Sequence, residues 1–159
     1  MLIETPSELF PAPPALRLTL PDGWEPFASA VATLSASDPA SPPSFRANVV
    51  VIVSKAVHEH AVSAVAQLLI DKTHTDHPGA SVLSSTACTV ADLDGYVSTV
   101  VFQPEQAEFP VAQVQGVVIA PTAHPEVRYA VQFHGTCARD DLATYEPILT
   151  AAFTSLAVT

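Results

Sequence analysis

The sequence has few positive charges. Of its 159 residues only 6 are Lys or Arg, against 16 Asp or Glu, and the formal net charge is −10. Such a chain repels nucleic-acid phosphates and anionic membrane surfaces, because binding to either is favoured by clustered cations. We therefore expect no nucleic acid among its partners.

Glycine is also scarce, with 5 residues, and none lies in a loop that could cradle a phosphate or a dinucleotide. The sequence has no Gly-x-Ser-x-Gly motif for a nucleophilic serine. Cys137 and His134 are three residues apart in a predicted strand, so their side chains point to opposite faces and cannot form a thiol and base pair. These absences predict a protein that is not an enzyme and needs no cofactor.

Only two cysteines occur, Cys88 and Cys137, and both fall in predicted strands. They are compatible with one disulfide or with two buried thiols, depending on the strand register. We favour two reduced thiols.

Long hydrophobic runs are missing as well. The apolar run from Ala47 to Val53 has about a third of the length that a membrane-spanning helix needs, so we expect no transmembrane segment. Glu4 and Glu8 stand where a secretory signal would carry cations, and no long apolar stretch follows. The sequence as written predicts a cytoplasmic protein, or one in the cell envelope or secreted if a leader has been removed.

The strongest structural signal is the segment from Phe45 to Val53. Its β-branched residues favour a strand, and the absence of alternation predicts burial on both faces, as in a central strand. Apolar residues at helical spacing then predict a helix from Val57 to Thr75, with Ser54 as its cap and Pro78-Gly79 as its stop.

The amino-terminal part is rich in proline. We predict a flexible proline-rich arm over residues 1–14 and a single domain over residues 15–159. Alternation predicts a strand at Leu16–Leu20, followed by a turn at Pro21-Asp22-Gly23. The Ala-rich segment from Phe27 to Leu34 is compatible with a short strand or a helical turn, and we favour the strand. A loop is predicted from Ser37 to Ser44.

The second half carries several predicted strands, and the last of them, from Val127 to Thr136, alternates between apolar and polar residues. The sequence there predicts strands at residues 80–90, 96–103, 111–120 and 127–136, with a turn at Asp92-Leu93-Asp94-Gly95 between the first two. A final helix carries Ile148 to Leu156, with Thr144 as its cap and Pro147 in its first turn. These elements predict an α+β fold in which helices cover a mostly antiparallel sheet.

Four segments carry a family resemblance: "LRLTLPDGW", "FRANVVVIVS", "DLDGY" and the terminal "FTSL". Together they resemble the LpqN/LpqT family of actinobacterial proteins, within the Mog1/PsbP-like superfamily. The resemblance implies an α/β/α sandwich on an antiparallel sheet and a role in binding other proteins, and it implies no reaction. Lipoproteins of this family carry a lipid-modified cysteine near the start, whereas the first cysteine here is Cys88.

Histidines and acids cluster at both ends of the predicted long helix. Asp71 and His74 share a helical face, with His77 beyond them, and His58-Glu59-His60 lies at the other end. Three ligands at either end could hold zinc. Because the spacing matches no zinc motif, we favour solvated side chains and predict no metal.

Polar side chains also recur on the late strands. Gln113 and Gln115 share one face of their strand, and Gln132 and His134 share one face of theirs. They form either an exposed polar surface or a shallow groove whose amides hold a peptide or a small polar ligand. The favoured function is a non-enzymatic protein-binding module. The alternative is a carrier or sensor of a small apolar cell-envelope molecule, which requires an enclosed apolar cavity.

Overall fold

A computed structural model describes residues 4–56, 61–105 and 107–159. Two helices, α1 (Val62–Asp76) and α2 (Leu142–Thr154), accompany nine strands. The strands are β1 (Leu16–Arg17), β2 (Glu25–Pro26), β3 (Leu34–Ser37), β4 (Asn48–Ala56), β5 (Ser81–Val90), β6 (Leu93–Phe102), β7 (Val111–Pro121), β8 (Arg128–Ala138) and β9 (Ala157–Val158).

Seven strands form one sheet in the order β2-β3-β4-β8-β7-β6-β5, and all neighbours in it are antiparallel. The two short strands β1 and β9 pair separately. Helix α1 packs over β5, β6 and β7, and α2 contacts β5, β7 and β8. This arrangement confirms the predicted α+β sandwich with an antiparallel sheet. Within the described ranges, no helix is both long and apolar enough to cross a membrane.

Alternation assigns the side chains of each central strand to two faces. On β8, Tyr129, Val131 and Phe133 belong to the main hydrophobic core beneath α2. The residues between them, including Ala130, face α1, where Ala130 packs with Val65 and Val117. The predicted alternation of this strand is confirmed.

The core beneath α2 is closely packed. Phe133, Phe153 and Leu149 are each 0% exposed, and the two phenylalanine rings lie 5.5 Å apart. The ring of Phe153 lies so close to β7 that a Cβ placed on Gly116 would stand 2.5 Å from it. Glycine at this position therefore allows the helix to approach the sheet.

The prediction that β4 is buried on both faces is wrong for one face. Val49 and Val51 are 0% exposed in the core beneath α2, whereas Val50 and Ile52 on the opposite face are only half-buried. The reason is the position of α1, which packs over β5 to β7 and leaves this side of β4 partly open.

Both predicted helix caps are wrong. Ser54 lies within β4, and α1 begins after Ala61 without a side-chain cap. Residues 57–60, where the prediction started the helix, lie outside the described residues. Helix α2 continues directly from a short 3₁₀ turn at Arg139–Asp141, so Thr144 is inside the helix and Pro147 falls beyond its first turn. The helix accepts Pro147 at the loss of one backbone hydrogen bond.

Three predicted boundaries also shift. The hairpin before β6 reverses at Ala91 and Asp92, which both have positive φ, so the turn precedes the predicted one. No strand covers Phe27 to Thr33; β3 begins at Leu34, which pairs with Val51 in the interior of β4. The first strand is limited to Leu16–Arg17, since β9 offers only two residues to pair with.

Both cysteine thiols are free, as expected. Cys88 is on β5 and Cys137 on β8, and β6 and β7 lie between these strands. The proline-rich amino-terminal segment contacts β8, because the Tyr129 hydroxyl donates a 2.8 Å hydrogen bond to the Pro11 carbonyl.

Candidate functional site

A groove runs along the sheet beside α1, where the helix leaves β4 and β8 partly uncovered. Its volume is about 490 Å³. We call it the polar groove, because amide, hydroxyl and imidazole groups lie along its floor. Its lining consists of Asn48, Val50, Ile52, Leu69, Lys72, Thr73, Asp76, His77, Phe102, Gln113, Gln115, Gln132, His134 and Thr136.

The strand register places the four predicted site residues together. Gln115 on β7 lies opposite His134 on β8, and Gln113 lies opposite Thr136. On the other side of β8, Gln132 lies opposite Ile52 of β4. Because opposed residues of antiparallel strands share a face, all four side chains reach the same groove.

Gln115 is the most buried of the four, with 5% of its surface exposed. Its Nε2 donates to Thr73 Oγ1 and to Gln113 Oε1, each at 2.8 Å. The hydroxyl of Thr73 in turn donates to the Leu69 carbonyl at 3.0 Å. Since the Thr73 hydroxyl uses its one O–H to donate to the Leu69 carbonyl, it can only accept from Gln115, and this fixes the orientation of the Gln115 amide.

Gln113 continues the network towards β8. Its Nε2 donates to Thr136 Oγ1 at 3.0 Å, and its Oε1 lies 3.4 Å from His134 Nδ1. An amide oxygen can only accept, so the neutral ring of His134 donates from Nδ1 and keeps Nε2 as an acceptor. Gln132 is held separately, because its amide donates to Ser54 Oγ at 3.3 Å.

The network leaves one acceptor unused. Gln115 Oε1 is buried and has no hydrogen-bond partner among the residues that the structure describes. An unpaired buried polar atom costs about 1–3 kcal/mol, so a hydrogen-bond donor that reaches it after a small rotation of the amide offsets that cost. Together with Nε2 of His134, it makes the floor suited to a ligand with N–H or O–H donors.

Burial also sets the charge of the groove. Desolvation lowers the pKa of His134 below its ordinary value of 6.5, so the imidazole is neutral at pH 7. Lys72 and Asp76, both on the rim, form an exposed ion pair at 2.8 Å. The floor is therefore polar but uncharged.

Apolar surface surrounds these acceptors. Val50 and Ile52 are half-buried on the β4 side. At the far end the ring of His77 stacks on Phe102, with centroids 4.4 Å apart. A ligand that fits this groove combines hydrogen-bond donors with apolar groups.

The candidate zinc ligands at the carboxyl end of α1 do not form a metal site. Asp71 accepts a hydrogen bond from Gln67 at 2.8 Å, while His77 stacks on Phe102. Across the described part of the chain, no three His, Cys, Asp or Glu side chains are grouped to hold a metal. His58-Glu59-His60 lies outside that part.

Sequence reasoning missed Thr73 and Thr136, which anchor the two glutamines. Thr73 is 8% exposed on α1, on the same turn as the apolar residues that pack on the sheet. Thr73 could have been found from the sequence, because it lies on the apolar face of the helix and a buried hydroxyl needs a hydrogen-bond partner on the sheet.

No protein-family model matches the sequence, and no curated protein matches it either. Solved structures do resemble it. LpqN of Mycobacterium tuberculosis, described as involved in cell envelope biogenesis, has a TM-score of 0.75 at 16% identity, over 94% of this chain and 86% of that chain. Cyanobacterial PsbP from Synechocystis has a TM-score of 0.61 at 14% identity, over 91% of this chain and 92% of that chain.

A third structure, a protein of unknown function from Pseudomonas aeruginosa described as a putative regulator, has a TM-score of 0.58 at 14% identity, over 87% of this chain and 94% of that chain. At these identities the likeness shows the fold alone. The chain has the fold shared by LpqN and the PsbP-like proteins, as the sequence resemblance implied.

Proposed function

We propose that the protein is a non-enzymatic binding module that holds a segment of a protein partner in the polar groove. The observation that carries this proposal is the buried, unpaired Oε1 atom of Gln115 on the groove floor. Gln113, Gln132 and His134 line the same floor and complete the candidate binding surface.

A polypeptide suits the chemistry of the groove. Its backbone supplies N–H donors, which can pair with acceptors such as Gln115 Oε1 and His134 Nε2. Its side chains supply apolar groups that can cover Val50, Ile52 and Phe102, which remain partly exposed. The neutral floor and the net charge of −10 disfavour an acidic segment.

The groups in the groove support binding better than catalysis. The Thr73 hydroxyl is directed to the Leu69 carbonyl, and the Thr136 hydroxyl accepts from Gln113. Cys137 lies on the opposite face of the sheet, where burial, with smaller contributions from Asp141 and Glu146, raises its pKa to about 12. It therefore stays a protonated thiol at neutral pH.

We also propose that the chain is an LpqN-like protein of the actinobacterial type, active at the cell envelope. The four sequence segments quoted above and the fold shared with LpqN support this assignment. LpqN itself is described as involved in cell envelope biogenesis.

The test is site-specific photocrosslinking in the organism that produces the protein. A benzoylphenylalanine replaces Val50 on the groove floor, and the matched control carries it at Val31, which is 75% exposed away from the groove. We expect one protein to be crosslinked at position 50 and not at position 31. Adding Gln115→Leu should remove that adduct, because the buried acceptor is lost.

Two results would contradict the proposal. One is the same set of adducts at both positions, which would mean random collisions. The other is no protein adduct at position 50 together with a small molecule attached there. That second result would support a carrier or sensor of a small apolar molecule.

The carrier function has one observation in its favour. A volume of about 490 Å³ is within the range of small-molecule sites, which is about 300–1,000 Å³. The groove is open, however, and its floor is lined by amides, whereas an apolar cargo needs an enclosed apolar cavity. We therefore place this function second.

A further inference from the structure

The two edges of the large sheet differ sharply. At one edge β2 has two residues, Glu25 and Pro26. At the other edge β5 has ten residues, Ser81–Val90, and only β6 pairs with it among the described strands. An edge strand presents unpaired N–H and C=O groups, so its length and chemistry decide whether another strand can add to it.

The β2 edge is protected by three common devices: it is short, it carries a charge and it contains a proline. The β5 edge has none of them. From Pro78 to Ala91 the sequence contains no charged residue, and within β5 it contains no proline. One irregularity, a register shift between Val82 and Ser84, interrupts the strand near its start.

The side chains of β5 are exposed for most of its length. Every residue from Ser81 to Ala87 is exposed, including two large apolar ones. Val82 is 39% exposed and Leu83 is 56% exposed. Beyond the shift, at Ser84 to Ala87, the strand is regular, uncharged and uncovered.

We propose that β5 is a dimerisation edge, at which a second copy of this chain pairs antiparallel to extend the sheet across both molecules. The polar groove lies beyond β6, on β7, β8 and β4, so this surface is separate from the proposed partner site. The dimer would leave both grooves free.

The absence of charge on β5 favours a second copy as the occupant, because in a symmetric pair β5 meets only β5, and any charge on it would face a like charge. Each copy carries a formal net charge of −10, so two copies repel each other over most of their surfaces. The uncharged β5 edge allows contact without bringing carboxylates of the two strands together. It would also cover part of Leu83, which is 56% exposed.

Symmetry fixes the register of such a pair. In an antiparallel pair related by a two-fold axis, directly opposed residues must point to the same face of the sheet. Neighbouring residues point to opposite faces, so the axis must pass a residue that faces its own copy. For the longest overlap of β5 this residue is Ser85 or Thr86.

The dimer is expected to be weak. One pair of edge strands buries less than the roughly 800 Å² per partner of a standard interface. We expect a dissociation constant in the micromolar range or above. Its formation should therefore depend on protein concentration.

The test is sedimentation equilibrium over a concentration series. We expect the parent chain to reach twice the monomer mass, and Thr86→Lys and Thr86→Glu each to weaken association at least tenfold. Like charges then lie directly opposite each other if the axis passes Thr86, or diagonally across the pair if it passes Ser85. Mixing the two variants should restore a heterodimer. Val31→Lys, at an exposed site away from the sheet edge, is the matched control and should associate as the parent does.

Hydrogen exchange locates the interface on the same samples. Amides of β5 should become slower to exchange as concentration rises, while those of β2 should not change. A parent chain that stays monomeric at millimolar concentration would overturn the proposal. So would a dimer that survives in both Thr86 variants, or one that leaves β5 exchange unchanged.

Discussion

Strands β7 and β8 show different chemistry on their two faces. Towards α2, Gly116 and Gly135 let Phe153 and Leu149 lie directly against the strands, and both side chains are 0% exposed. Towards α1, Gln115 and His134 of the same strands join a hydrogen-bonded network that leaves one acceptor unpaired.

The difference shows how one sheet can serve two purposes. Close packing on the α2 face supplies stability, since each buried aromatic or aliphatic side chain contributes a few kcal/mol. The α1 face is covered over β5 to β7 and open over β4, so Gln113, Gln132 and His134 remain partly exposed along the groove. The predictions below test this division from the largest expected effect to the smallest.

Truncation on the α2 face should be severe. We expect Phe153→Ala to lower the free energy of unfolding by about 3–5 kcal/mol, because it leaves a cavity beneath α2. Leu68→Ala, at a site 55% exposed on α1, is the control and should change it by less than about 0.5 kcal/mol. Urea unfolding followed by circular dichroism measures both. Equal losses of unfolding free energy in the two variants would contradict the idea that close packing on the α2 face supplies the stability.

Adding one methyl group on the α2 face should also destabilise the fold. Gly116→Ala places a Cβ 2.5 Å from the Phe153 ring, and we expect a loss of about 1–3 kcal/mol in unfolding free energy. Gly79→Ala is the matched control, since no atom lies within 4 Å of its Cβ position. The double variant Gly116→Ala with Phe153→Leu should recover part of the loss, because the smaller leucine side chain leaves room for the added methyl group. No recovery would mean that the strain has another source.

A substitution on the α1 face should affect binding more than stability. We expect Gln115→Leu to cost about 1 kcal/mol or less, because losing two hydrogen bonds is partly offset by removing the unpaired Oε1. Crosslinking at position 50 should nevertheless disappear. A loss of stability as large as that of Phe153→Ala would show that Gln115 is a core residue and not a binding group.

The smallest effect is a pH dependence from His134. Its pKa is lowered by burial, so below the ordinary value of 6.5 the unfolded chain binds more protons than the folded one. This contribution to stability is complete above about pH 6.5 and is lost as the pH falls towards the folded pKa. Urea midpoints measured from about pH 8 to pH 5 should show the loss, and His134→Gln should reduce it. An unchanged slope in that variant would assign the effect to other groups.

Much of this architecture could be predicted from local patterns. The alternation of Val127 to Phe133 identified the two faces of β8, and the segment from Phe45 to Val53 identified a strand in the middle of the sheet order. The turn at Ala91 and Asp92 was predicted too late in the chain, because Asp94-Gly95 is the commoner turn sequence. In the structure Gly95 instead pairs with Val118 of β7 and therefore belongs to β6. The caps failed for a similar reason: Ser54 pairs with Ala130, so its backbone belongs to the sheet.

The candidate site could be predicted in part. Gln113, Gln115, Gln132 and His134 were chosen because alternation puts each pair on one face of its strand. Alternation alone could not show that the two strands are neighbours, nor that Thr73 of α1 binds Gln115. It also could not show that one side of β4 is open, because that depends on where a helix lies.

The sequence by itself determined the fold class, the faces of the strands and the acidic character of the surface, since these follow from periodicity and composition. Tertiary structure alone decided the polar groove. The register of β7 against β8 and the position of α1 brought separate residues to one place, and burial then gave His134 its lowered pKa and left Gln115 Oε1 without a partner. Such long-range contacts depend on how the elements pack, and a local pattern does not record them.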